Sequence, residues 1–79
     1  MARLVIRFSE DFREARTASK IYVRLRDNGL EPFSVQLNYH TKLGEQEVIY
    51  YFENSDKMPK KSKLVDILEG IKFTTLTLD

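Results

Sequence analysis

The chain opens with alternating apolar and polar residues, a pattern that predicts a strand. In "ARLVIRFS", Leu4, Ile6 and Phe8 fall on one side, and Arg3 and Arg7 fall on the other. Successive side chains of a strand point to opposite faces of a sheet. The first segment is therefore predicted to be a strand with one buried face and one open face.

Two further alternating segments, "PFSVQLNYH" and "EVIYYFE", are separated by the polar stretch "TKLGEQ" and predict a β-hairpin. Gly44 in the connection allows the positive φ that turns often need. In the second segment, alternation divides three consecutive rings, so we expect Tyr50 and Phe52 in the core and Tyr51 on the open face. In the first, the residues expected to share one face are Phe33, Val35, Leu37 and Tyr39.

The segment from Glu10 to Asn28 has features of both a strand and a helix. Ile21, Val23 and Leu25 alternate as they would in a strand. At 100° per residue, however, more of the apolar residues gather on one broad face of a helix. That face consists of Phe12, Ala15, Ala18, Tyr22 and Leu25. We therefore expect a helix.

Capping residues mark the ends of this helix and of a second one. Ser9 is typical of an N-cap, and Gly29 followed by Leu30 is typical of a Schellman-type C-terminus. The stretch "KLVDILEG" predicts a second, short helix that ends at Gly70. Its inward residues are expected to be Leu64, Val65 and Leu68. The final "IKFTTLTLD" is predicted to be a last strand.

The predicted order of elements is β-α-β-β-α-β, and it predicts one α+β domain over residues 1–79. Right-handed crossovers around a central hairpin give an antiparallel sheet with strand order 4-1-3-2 and both helices on one face. This arrangement resembles the ferredoxin-like plait. The resemblance covers the whole chain, but that architecture hosts many unrelated functions.

The composition favours a protein without catalytic chemistry. The chain has no cysteine, a single histidine at the end of a predicted strand, and three isolated glycines in turns or caps. No catalytic residues, cofactor or metal site are therefore expected. The longest apolar run, "VIYYF", is far shorter than the roughly 20 residues of a membrane span. No signal peptide is recognised either, and we expect a cytoplasmic protein without membrane contact.

The open sheet face is a candidate contact surface. Because the first predicted strand and the second hairpin strand are central and antiparallel in the expected topology, Arg3 should lie near Glu53, and Arg7 near Glu47. Such charge pairs would surround a small apolar centre and suit a self-complementary homodimer. The residues of this possible dimer contact are Arg3, Val5, Arg7, Ile49 and Tyr51.

The same strand order occurs in the RNA-recognition motif, which places aromatic rings on its first and third strands. Here "RLVIRF" offers Val5 in the first strand, and "EQEVIYYFE" offers only Tyr51 as an exposed ring. Glu47 and Glu53 would repel phosphates. No RNA-binding residue is therefore assigned on the sheet.

Basic residues collect on the predicted helices, although the net charge is only +1. Four of them fall within about 80° of one another on the first helix, and three lysines surround the start of the second. Together they form a predicted partner-binding face: Arg13, Arg16, Lys20, Arg24, Lys60, Lys61 and Lys63. Lysines in a first helical turn oppose the helix dipole, so they either serve solubility or face an anion.

The sequence therefore predicts a non-enzymatic regulatory protein, an inhibitor or adaptor, whose basic helical face binds another protein with an acidic or phosphate-bearing surface. Two alternatives remain open. The same helices could bind nucleic acid, although a pI of about 8.0 is low for such proteins. The chain could also be a homo-oligomeric structural module that associates through the open sheet face.

Overall fold

The computed structural model describes residues 1–9, 14–40 and 44–79, which form a four-stranded antiparallel sheet and two α-helices. The elements in chain order are β1 (Ala2–Phe8), α1 (Glu14–Asp27), β2 (Ser34–His40), β3 (Glu45–Phe52), a 3-10 turn (Ser55–Lys57), α2 (Lys61–Ile67) and β4 (Thr75–Leu78). The chain is therefore a small α+β protein.

The sheet has the strand order β2-β3-β1-β4, and every neighbouring pair is antiparallel. Read from the β4 edge, the same neighbours follow the order 4-1-3-2. The two central strands share seven residue pairs, and Val5 of β1 lies opposite Ile49 of β3 and Thr77 of β4. Strands β2 and β4 form the two edges.

The core lies between one face of the sheet and the helices. Side chains of β1 and β3 that alternate toward this face are fully buried, as are the inward residues of α1 and α2, and all belong to one cluster. Its most deeply buried members include Leu4, Ile6, Ile21, Leu25, Val48, Tyr50, Leu64 and Leu68. The expected burial of Tyr50 and Phe52 is confirmed.

Two predicted positions are wrong: the inward position of Val65 and the face assigned to Phe33. Val65 is exposed, because α2 spans only seven residues and buries the narrow stripe formed by Leu64 and Leu68, which lie one turn apart. Phe33 precedes β2, and its ring packs 6.3 Å from the ring of Tyr51. It therefore does not continue the row of side chains formed by Val35, Leu37 and Tyr39.

The C-terminus of α1 has the predicted Schellman geometry. The N–H of Leu30 donates to the carbonyl of Leu25 at 2.8 Å, and the N–H of Gly29 donates to the carbonyl of Arg26 at 3.0 Å. Gly29 has a φ of 80°, a left-handed conformation that L side chains rarely adopt. This turn reverses the chain and directs it into β2.

The predicted start of α1, including the side chain of Phe12, falls in residues 10–13, outside the described residues. The N-cap assigned to Ser9 concerns that start, so it stays a prediction. In the structure the hydroxyl of Ser9 lies 3.2 Å from that of Thr74, which precedes β4. This contact joins the end of β1 to the start of β4.

Tyr50 connects the sheet to α1 by a buried hydrogen bond. Its hydroxyl donates to the backbone carbonyl of Ala18 at 2.6 Å, and its side chain is fully buried. Burial disfavours the charged phenolate, so it raises the pKa of Tyr50 well above the ordinary value of about 10. Ionising this phenol would place a charge in the core.

Tyr50→Phe tests the hydrogen bond to Ala18 and the raised pKa of the buried phenol. At neutral pH we expect the free energy of unfolding to fall by about 1 kcal/mol, because the hydrogen bond is lost while the ring remains. The folded protein holds the Tyr50 proton more tightly than the unfolded chain does. Its contribution is therefore complete below about pH 10 and is lost as the pH rises beyond that value.

Urea unfolding from pH 7 to pH 11 measures both effects. The variant should lose stability less steeply than the wild-type protein above about pH 10. The other three tyrosines occur in both proteins, so the difference between the two curves reports Tyr50. Parallel curves across the whole range would show that this phenol does not resist ionisation in the folded state.

Candidate functional site

Helix α1 presents a row of exposed basic side chains beside a cleft. Arg16, Lys20 and Arg24 follow one another at four-residue intervals, so the row extends about 12 Å along the helix. With the half-buried Ile71 and the exposed Val23, they line a cleft of about 390 Å³. We call this the α1 cleft; Ser19 and Asp27 complete its wall.

Arg24 already has partners within the protein. Its Nη1 donates to the carbonyl of Ile67 at 3.1 Å and to that of Glu69 at 2.8 Å. These carbonyls belong to the C-terminal end of α2, where backbone acceptors lack helical donors and a positive charge is favourable. Arg24 therefore holds the two helices together, while Arg16 and Lys20 remain exposed for contact with a ligand.

The lysines predicted to extend this surface lie elsewhere. Lys60, Lys61 and Lys63 are exposed at the start of α2. A seven-residue helix is about 10 Å long, so its length separates them from the carbonyls that Arg24 binds. The described members of the predicted basic face thus form two groups, one along α1 and one at the start of α2. Arg13 falls outside the described residues.

The open sheet face carries a connected chain of polar side chains. Arg7 Nε donates to Glu47 Oε2 at 2.9 Å, and Asn38 Nδ2 donates to Glu47 Oε1 at 3.0 Å. Gln36 Nε2 donates to Asn38 Oδ1 at 3.1 Å, and the hydroxyl of Tyr51 donates to Gln36 Oε1 at 2.9 Å. The predicted proximity of Arg7 and Glu47 is confirmed.

The predicted contact between Arg3 and Glu53 is wrong. Arg3 lies opposite Tyr51 in the sheet, and Glu53 follows the end of β3. Arg3 instead forms an ion pair with Asp79, which directly follows β4. The backbone N–H and C=O groups of the two residues also bond to each other. The hydrogen bond and the charge of Asp79 raise the pKa of Arg3. The prediction for Arg3 considered only the neighbouring strands β1 and β3, whereas Asp79 lies next to the edge strand β4.

The apolar centre expected on this face is largely enclosed. Ile49 is buried, and Val5 and Tyr51 are half-buried. Val5 and Ile49 line a shallow depression of about 420 Å³ between the two ion pairs. The five residues of the predicted dimer contact therefore do share a face, but their charged members are already paired within the chain.

An exposed apolar row on β2 was not among the predicted site residues. Val35, Leu37 and Tyr39 point to the helical side of the sheet, yet they are 42%, 50% and 54% exposed. Together with Ala18, Ser19 and Tyr22 of α1, the first two line a groove of about 370 Å³. The signal in the sequence was the absence of Lys, Arg, Asp and Glu from residues 34–40.

The described residues provide groups that can bind a partner. Within residues 1–9, 14–40 and 44–79, no three His, Cys, Asp or Glu side chains are grouped so that they could hold a metal ion. No helix in that part of the chain is long and apolar enough to span a membrane. Arg16 and Lys20 can bind carboxylates or phosphates, and β2 can bind extended backbone.

Glu47→Gln tests the polar chain on the sheet face. Because the carboxylate is largely buried and Arg7 is about half exposed, we expect a loss of about 1 kcal/mol in the free energy of unfolding. A double-mutant cycle with Arg7→Met isolates the pair. Glu53→Gln is the matched control and should change stability by less than about 0.5 kcal/mol. Equal losses from both glutamates would contradict the observed pairing.

Comparison with known proteins places the chain in no family: no protein-family model matches it, and no curated protein is significantly similar to it.

Proposed function

We propose that the protein is a non-enzymatic interaction protein whose α1 cleft binds an acidic surface of another protein, as a regulator or adaptor would. One observation carries this proposal: two exposed cations, Arg16 and Lys20, stand beside the apolar Val23 and Ile71 in one cleft. Protein interfaces commonly combine a few basic or aromatic anchors with a small apolar centre that excludes water.

The composition of the cleft favours a protein over a nucleic acid as the partner. A phosphate backbone is bound mainly by positive charge, whereas Asp27 contributes negative charge to this cleft and Val23 and Ile71 contribute apolar surface. The chain as a whole carries a net charge of only +1. Local complementarity to carboxylates fits this mixture better than binding to a polyanion does.

The basic residues have different roles in this proposal. Arg24 orders the wall of the cleft through its bonds to α2, and Arg16 and Lys20 bind the partner's carboxylates. Lys60, Lys61 and Lys63 increase the rate of encounter through their charge without entering the cleft. Arg13, outside the described residues, would extend the row along α1.

We also propose that the architecture is the ferredoxin-like plait, with both helices on one face of the sheet. The β-α-β-β-α-β order and the shared core of α1 and α2 support this assignment. Because this plait hosts many unrelated functions, it adds nothing to the choice of partner.

Charge reversal of Arg16 and Lys20 tests the function. Arg16→Glu with Lys20→Glu should weaken capture of an acidic protein by about tenfold or more, since each close interfacial charge pair contributes more than 1 kcal/mol. Proteins bound by the immobilised chain are identified and quantified by mass spectrometry, and the affinity of the main partner is then measured by calorimetry. Arg24 is left intact because its loss would disturb helix packing.

Lys61→Glu with Lys63→Glu is the matched control. It reverses the same number of charges on the other helix, and we expect less than a threefold change in affinity at about 0.15 M salt. Equal losses in both variants would contradict a specific role for the cleft. The nucleic-acid alternative is tested with labelled single-stranded RNA and duplex DNA at about 0.05 M and 0.2 M salt. Binding that disappears in the α1 variant and falls steeply with salt would favour that alternative instead.

A further inference from the structure

Strand β2 is an edge strand, and within residues 1–9, 14–40 and 44–79 it lacks the usual protection against pairing. Every second residue of an edge strand directs its N–H and C=O groups away from the sheet, and natural proteins usually block such an edge with charges, proline or shortness. The seven residues of β2, "SVQLNYH", contain no Lys, Arg, Asp, Glu or Pro. The opposite edge, β4, has only four residues and is flanked by the Arg3–Asp79 ion pair.

An apolar row accompanies this free edge. Val35, Leu37 and Tyr39 face the helical side of the sheet and remain about half exposed, because α1 leaves a groove between itself and β2. Exposed apolar side chains that lie together, rather than singly, are typical of interaction surfaces on soluble proteins. The free edge and the apolar row together call for an extended, apolar partner.

We propose that this partner is a second copy of the chain, which pairs antiparallel to β2 about a two-fold axis through Leu37. The two sheets then join into one sheet of eight strands. This inference does not depend on the proposed function, because the surface lies on the β2 side of α1 and uses neither Arg16 nor Lys20.

The sequence of β2 is self-complementary in this arrangement. A two-fold axis at Leu37 places Val35 opposite Tyr39 of the second copy and Leu37 opposite its own counterpart. On the other face it places Gln36 opposite Asn38. No Lys, Arg, Asp or Glu meets its like across the axis, whereas a single one at the centre would have opposed pairing.

The helices leave room for this contact. The groove beside β2 is lined on the helical side by Ala18, Ser19 and Tyr22, none of which is charged. Two copies related by the axis would bring their apolar rows together between two α1 helices. Interfaces formed by one edge strand and a short apolar row belong to the small size class, so we expect a dissociation constant on the order of micromolar.

Opposite charges at the centre of β2 give the sharpest test. Leu37→Lys and Leu37→Glu each place two like charges at the axis, so each variant alone should be monomeric. A mixture of the two should form heterodimers, because a Lys now faces a Glu. Sedimentation equilibrium over a wide range of protein concentration measures all three samples, and circular dichroism checks that each variant is folded.

Two equally exposed valines provide a second test position and its control. Val35 in β2 and Val65 in α2 are both 42% exposed. Val35→Lys should weaken the dimer at least tenfold, and Val65→Lys should change its dissociation constant less than twofold. A wild-type chain that stays monomeric at about 1 mM overturns the proposal, even if β2 then binds an unrelated extended peptide. So do Leu37 variants that fail to associate when mixed, or a dimer that Val65→Lys disrupts and Val35→Lys does not.

Discussion

The rest of the structure depends on how two short helices cover a four-stranded sheet. The apolar face of β1 and β3 is sealed by Ile21 and Leu25 of α1 and by Leu64 and Leu68 of α2. Two helices about 10 Å wide are about as broad as four strands about 5 Å apart, so they cover both edges of the sheet only when they are centred on it. Here the uncovered edge is β2, while Leu76 of β4 is buried. Exposure of the apolar row on β2 follows from this geometry.

The same constraint explains why the open sheet face is polar and internally paired. Without a second layer of helices, side chains on that face contact water, and the residues flanking Ile49 and Val5 are polar or charged. Glu47 is buried among its neighbours and bonded to Arg7 and Asn38, so its charge is compensated within the sheet. A face whose charges are already paired has less to gain from a partner than a cleft that exposes Arg16 and Lys20, which is why the proposed function rests on α1.

Local patterns in the sequence were sufficient to predict the helices and strands. They were insufficient to predict which parts of the sheet the helices cover. Alternation placed Tyr50 and Phe52 inside and Tyr51 outside, and Gly29 marked the end of α1, because both depend on neighbours within a few residues. Val65 was misplaced because the width of the buried stripe depends on the length of α2. The pairing of Arg3 with Asp79 and the exposure of β2 depend on which strands lie at the edges and on how far α1 reaches. Those are tertiary properties, and no short window of sequence contains them.

Helix α1 lies between two surfaces with different chemistry, and each of the two proposals concerns one of them. On one side lies the cleft with Arg16 and Lys20, and on the other lies the groove against Val35 and Leu37; Ser19 borders both. Pairing through β2 would fill the groove and leave both clefts open. Each dimer would then display two copies of the same basic cleft, held at a fixed separation by a continuous sheet. Two linked sites bind a partner with repeated acidic segments more tightly than either site alone, provided that the spacing of the segments matches. A weak dimer could therefore raise the affinity of a modest cleft without any further contact.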